Sequence, residues 1–123
     1  MKLISNRYKY DSKSILKLNT LQLKTKKEIE AKINNGQYQL ESISCPICAS
    51  KNDEIIAEKD RYGIRNTTVL CKECGLLRTS PRMDQKSYND FYLSHFRNLY
   101  IGVERTTEQY FNSRKVQGVK IFN

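Results

Sequence analysis

The chain has 123 residues, enough for one modest domain or a small module with extensions and too few for two full-sized domains. Only 38% of it is hydrophobic, mean hydropathy is -0.69 and Trp is absent, so apolar burial alone stabilises it weakly against conformational entropy. Twenty-two Lys and Arg against 13 Asp and Glu leave a formal charge of +9, which favours anionic partners such as nucleic acid, lipid headgroups or phosphorylated substrates.

No apolar run approaches the roughly 20 residues that span a bilayer, and MKLISNRYKY lacks the continuous apolar stretch of a signal peptide. A cytoplasmic protein with no membrane span is expected. In that reducing compartment, four cysteines arranged as two C-x-x-C pairs point to metal or catalysis rather than to structural disulfides.

In chain order, residues 1–24 read as a mobile basic N-terminal arm, since no hydrophobic period holds there for long. Residues 25–44 read as a helix and a strand. Thr25 and Glu28 have capping-box spacing, Ile29 and Ile33 share a face, and Asn35-Gly36 supplies a stop, which predicts a helix over about 26–34. YQLESIS then alternates Tyr38, Leu40 and Ser42 on one face, a strand leading into Cys45.

Residues 45–81 hold the cysteines. EIIAEKDRYG and RNTTVLC are β-branched stretches separated by the turn-prone Gly63 and Asn66, which predicts a hairpin, and LLRTS predicts a third strand ending at Pro81. Residues 82–123 read as two helices. In the first, Tyr88, Phe91, Tyr92, His95 or Phe96, and Leu99 fall at helical spacing behind a capping Asp84. The second is TTEQYFNSRKVQGVKIF, after a break at Ile101-Gly102 and running to Asn123. The expected fold class is small α+β: a rubredoxin-like zinc ribbon with two cysteine knuckles and an antiparallel hairpin of three strands, flanked by helices.

A C-x-x-C turn presents two thiolates to one ion, and two such turns complete a tetrahedron. Cys45 and Cys48 are separated by 22 residues from Cys71 and Cys74, room for one hairpin, and Gly75 suits the close backbone approach of a knuckle. Four cysteines close the shell, so a structural Zn2+ is expected rather than a catalytic one. Other readings stay open: thiols buried as small hydrophobes, a redox dithiol at CPIC, or an iron site of the rubredoxin kind. ASKND after Cys48 starts no convincing helix, which weakens the redox reading. His95, the lone histidine, is expected to pack or face solvent, all four ligand positions being filled.

Two surfaces have functional and plain readings. Arg61, Arg65, Arg78 and Arg82 offer guanidinium forks suited to a nucleotide-sugar phosphate, or they form a solvated face with a few ion pairs. Tyr88, Phe91, Tyr92 and Phe96 can cradle a sugar ring, or they are core and interface. Exposed, these rings predict weak self-association.

The stretches CPIC, EKDRYGIRNTTVLCKECGL, TSPRM and YNDFYLSHFRNLYIG, in that order, resemble the N-terminal zinc-binding segment of bacterial class I S-adenosylmethionine-dependent methyltransferases. The resemblance runs over residues 25–123. It implies methyl transfer to a sugar or cell-surface glycan precursor, hence a part in polysaccharide biosynthesis with a sugar or nucleotide-sugar substrate. It assigns metal binding to Cys45, Cys48, Cys71 and Cys74, and substrate or interdomain contact to Asp60, Arg61, Tyr62, Arg78 and Arg82. The family's cofactor loop is glycine-rich, whereas Gly36, Gly63, Gly75, Gly102 and Gly118 form no G-x-G cluster. The expectation is a fragment that ends before the catalytic domain, inactive alone, with S-adenosylmethionine bound only by a full-length parent. The competing class is a stand-alone zinc-ribbon module that binds nucleic acid or a protein partner through its basic arm.

Overall fold

The computed structural model describes residues 3, 5–103 and 107–122. Residues 1, 2 and 4 of the expected arm, and Thr106 and Asn123 at the two ends of the expected second helix, lie outside these. Helix α1 covers Thr20–Asn34 and so begins earlier than the predicted residue 26. Two capping signals compete in this stretch, and the upstream one prevails. Asn19 is extended; its side chain accepts from the Gln22 amide at 2.8 Å while the Gln22 side chain accepts from the Asn19 amide at 3.0 Å. Thr25 is left mid-helix, its hydroxyl donating to the Leu21 carbonyl.

Strand β1 (Leu40–Glu41) pairs antiparallel with β5 (Arg82–Met83), a shorter element than the predicted YQLESIS strand. The larger sheet is antiparallel in the order β2 (Asp53–Lys59), β3 (Arg65–Cys71), β4 (Leu77–Thr79). Its hairpin turns at Asp60–Ile64, and Asn66, expected in the turn, is within β3. The reason is the Asp60 carboxylate, which accepts from the amides of Tyr62 at 2.9 Å and Ile64 at 3.0 Å and so closes the turn before Asn66 is reached. Gly63 completes it at φ +78.

Asp84 caps helix α2 (Gln85–Ser94), accepting from the Ser87 amide at 2.9 Å as the sequence predicts. The single aromatic-faced helix expected over this stretch is instead two. The backbone leaves helical geometry at His95, and helix α3 (Phe96–Tyr100), in which Leu99 is buried, follows. Helix α4 covers Thr107–Phe122.

The core consists of Ile29 from α1, Tyr38, Tyr62 and Ile64 from the hairpin tip, and Leu99 from α3, with Leu18, Ile33, Met83 and Phe91 packed around it. One end of the three-stranded sheet is thus anchored on the helices, and the other carries cysteines. The stretch before α1 makes polar contacts with the hairpin. Ile15 donates to the Arg61 carbonyl at 3.0 Å, the Ser14 hydroxyl to the same carbonyl at 2.9 Å, the Tyr10 amide to Glu58 at 3.0 Å, and Lys59 pairs with Asp11 at 2.8 Å. Strand β2 lies at a sheet edge, and this segment occupies polar groups there that would otherwise face solvent. Among the described residues no helix is long and apolar enough to cross a membrane. The chain is a small α+β fold with antiparallel sheets and helices.

Candidate metal centre

Two loops of like geometry bring the four cysteines together. In the first, Cys45 donates its amide to the Ser50 carbonyl at 2.9 Å and Ala49 donates to the Cys45 carbonyl at 2.8 Å. In the second, Cys71 donates to Leu76 at 2.9 Å and Gly75 to Cys71 at 2.8 Å. The turn residue after each second cysteine has positive φ: +62 at Ala49 and +83 at Gly75. Amides then point at sulfur in the same pattern. Cys45 accepts from Cys48 and Ile47, Cys71 from Cys74 and Glu73, Cys48 from Ser50, and Cys74 from Leu76. Pro46 has no amide to give, and none is needed at its position: in the second loop the corresponding Lys72 amide turns away to the Asn52 carbonyl.

The four Sγ atoms all lie within 4.8 Å of one another, with Cys45 to Cys74 at 3.5 Å and Cys48 to Cys71 at 3.6 Å. A tetrahedron with Zn–S bonds of about 2.3 Å has sulfur-sulfur edges of about 3.8 Å, so the quartet fits one ion of that size. Cys45 and Cys71 are buried, whereas Cys48 and Cys74 are exposed, which leaves one edge of the site open to solvent.

The electrostatics also call for a cation. Amides, chiefly that of Cys48, pull the Cys45 thiol down to about 6, and the Cys74 amide likewise lowers Cys71. At Cys48 the Ser50 amide works in the same direction, but burial and the neighbouring sulfurs outweigh it and push the thiol up to about 12; Cys74 is also raised. The amides thus favour the thiolate at Cys45 and Cys71, while hydrogen bonds among the sulfurs favour the thiol at Cys48 and Cys74. Full ionisation of the quartet needs a positive ion among them. The four cysteines, close together, can therefore bind a metal ion such as zinc.

The other residues singled out from the sequence do not gather around one ligand. Asp60 closes the hairpin turn, and Tyr62 is buried beneath it. The Arg61 guanidinium lies over the rings of Tyr62 and Tyr100, 5.2 Å from each centroid. Arg65 lies over the Tyr10 ring at 4.0 Å. Arg82 pairs with Glu41 at 3.2 Å beside a shallow cleft of about 290 Å3 that Met83, Gln85 and Tyr88 also line. Arg78 reaches over β3 to Asp53, with guanidinium-carboxylate contacts of 2.6 and 2.8 Å.

The aromatic stripe is a ladder on one side of α2 and α3. Tyr88 to Tyr92, Tyr92 to Phe96 and Phe96 to Tyr100 have centroids 5.0, 4.8 and 4.6 Å apart, and Tyr100 meets Tyr62 edge-on at 5.1 Å. Tyr88, Tyr92 and Tyr100 remain exposed. His95 is buried edge-on against Tyr38, with Nδ1 3.6 Å from a Glu28 carboxylate oxygen, so it takes no part in the cysteine site.

Asp53 was not singled out by the sequence. A carboxylate opposite Cys71 becomes visible only when the β2–β3 register is known. Ala49 also went unmarked, because alanine gives no signal for positive φ. A scan against protein-family models and searches of curated proteins and of solved structures found no significant match.

Proposed function

We propose that residues 45–81 form a zinc ribbon in which Cys45, Cys48, Cys71 and Cys74 hold one structural Zn2+. The observation that carries this is the sulfur quartet itself, two matched loops whose amides and sulfurs converge on a volume the size of one ion. Four thiolates fill a tetrahedral shell, leaving no position for water or substrate, so the role is to hold the fold. The hydrophobic core lies at the other end of the sheet, and an apparent ~10 to 16 kcal/mol from a site of this type is what fixes the cysteine end.

The wider role rests on the motif resemblance: a zinc-binding part of an S-adenosylmethionine-dependent methyltransferase that modifies a sugar or cell-surface glycan precursor. Its support is that the stretches carrying the resemblance form one continuous unit. DRYGI packs on FRNLY through Tyr62 and Tyr100, VLCKECGL forms the second cysteine loop, and PRM pairs with β1 and places Met83 against the core. Within residues 1–123 no glycine-rich cofactor loop occurs, so methyl transfer is not assigned to them.

Elemental analysis of protein purified under reducing conditions tests the metal. One zinc per chain, with loss of order at the cysteine end of the sheet on chelation, is expected. A folded, metal-free chain whose four thiols stay freely reactive in excess zinc would overturn the assignment, and a red protein would replace zinc by iron. Calorimetry with S-adenosylmethionine tests the division of labour: no heat of binding is expected from this chain.

A further inference from the structure

The sequence marks Arg78 as a candidate anion ligand, yet its side chain is only 7% exposed and is committed inside the molecule. From β4 it reaches over β3 to β2, where Nη1 and Nη2 of the guanidinium both donate to the Asp53 carboxylate. Nη2 also donates to the Ile43 carbonyl at 3.1 Å. Ile43 and Asp53 are the two sides of the first cysteine loop, one before Cys45 and one after Ser50. That loop has no strand of its own. Arg78 fastens both of its ends to the sheet through one planar group.

The strand register places the same group beside the sulfurs. Arg78 pairs with Val69 and Asp53 pairs with Cys71; Val69 and Cys71, two apart, share a face of β3. Arg78, Asp53 and Cys71 therefore lie on one face of the sheet. Asp53 chiefly, with Cys45 and Cys71 adding to it, strengthens the hold of the guanidinium on its proton. Its Nε is buried with no hydrogen-bond acceptor. A buried donor without an acceptor is costly unless negative charge nearby compensates. The other charged side chains at this end, Lys51, Lys72 and Glu73, are exposed and screened, and Glu54 is half-buried opposite Leu70.

We infer that Arg78 is the positioning and charge-balancing residue of the cysteine site: it clamps the first cysteine loop at Ile43 and Asp53 and sets a buried positive charge beside the thiolates. A divalent ion with four thiolates carries a net charge of about -2, and Asp53 adds another negative group nearby. Arg78 offsets both. The inference rests on the metal-binding reading, and the two fail in different ways.

The test is Co2+ and Zn2+ affinity at fixed pH, read from the cobalt-thiolate absorption and from competition with a chromogenic chelator, in wild type, Arg78→Met, Arg78→Lys and Asp53→Asn. Arg78→Met should weaken binding about 10- to 100-fold, the usual effect of removing a group that supports metal ligands. Arg78→Lys, which keeps the charge but loses the fork, should recover part of the loss. Asp53→Asn removes a negative charge and should bind as tightly as wild type or more tightly. A clip with no electrostatic part would weaken in Asp53→Asn as much as in Arg78→Met, and that result overturns the inference. So does Arg78→Met binding within about threefold of wild type. If wild type itself takes up neither ion, the zinc-ribbon reading fails instead.

Discussion

The two cysteine loops have nearly the same hydrogen bonds and different foundations. The second grows out of the sheet: Cys71 is the last residue of β3, and Leu77 opens β4 just after the loop. The first lies between β1 and β2 and is held by its own turn, by Arg78, by its sulfurs and by the bonds of Asn52 to Lys72 and Glu73 in the second loop. The second also has glycine at its positive-φ position where the first has Ala49. Similar geometry on unequal support means that a bound metal would do more for the first loop than for the second. Without one, the second loop should keep its ladder bonds and the first should keep fewer.

The largest effect follows from removing a ligand. Cys71→Ser and Cys45→Ser should each abolish tight metal binding and forfeit most of the ~10 to 16 kcal/mol that a structural site supplies. Hydrogen exchange would then separate the loops. With metal removed by chelation, the amides of Cys45 and Ala49 should exchange freely while those of the β2–β3 ladder stay slower. Equal exchange in the two loops would break the comparison.

A second contrast is between the ends of the hairpin. Gly63 and Gly75 have nearly the same φ, +78 and +83, but a Cβ at Gly63 would meet the Lys13 carbonyl carbon at 2.6 Å, whereas one at Gly75 meets nothing within 4 Å. Gly63→Ala should cost about 2 to 3 kcal/mol, because backbone must move as well as strain. Gly75→Ala should cost about 1 kcal/mol, the left-handed penalty alone. Ala49→Gly should change stability by less than about 1 kcal/mol, relief of that penalty being offset by the entropy of glycine. Denaturant unfolding of the zinc-loaded protein measures all three.

The smallest effect lies in the helical half. Burial, followed by the nearby Lys32, lowers the His95 pKa. A histidine whose folded pKa is depressed contributes stability above its unfolded value of about 6.5, and that stability is lost as pH falls through this range. His95→Gln should therefore flatten the acid side of the stability profile. An unchanged slope below pH 6.5 would remove His95 from the acid response.

Spacing alone shows the sulfur quartet, because C-x-x-C pairs 22 residues apart leave room for one hairpin. The Asp84 cap and the hairpin are legible for similar reasons, being local. What escapes is long-range or ambiguous. Asn19 and Thr25 each offer a helix start, and only the extended backbone at Asn19 decides between them. The segment before α1 has no period, yet single polar contacts fasten it to residues more than 40 positions away in the chain. The break at His95 is hidden by a helical pattern that continues through it. Asp53 becomes a partner of Arg78 only through strand register.

Native mass spectrometry of the intact chain after titration with zinc tests most directly whether the four cysteines act as one site. The expected result is a single species that gains one Zn2+ per chain and protects all four thiols from alkylation together. A folded chain that stays metal-free, or one in which Cys45 and Cys48 alkylate while Cys71 and Cys74 remain protected by metal, would contradict it.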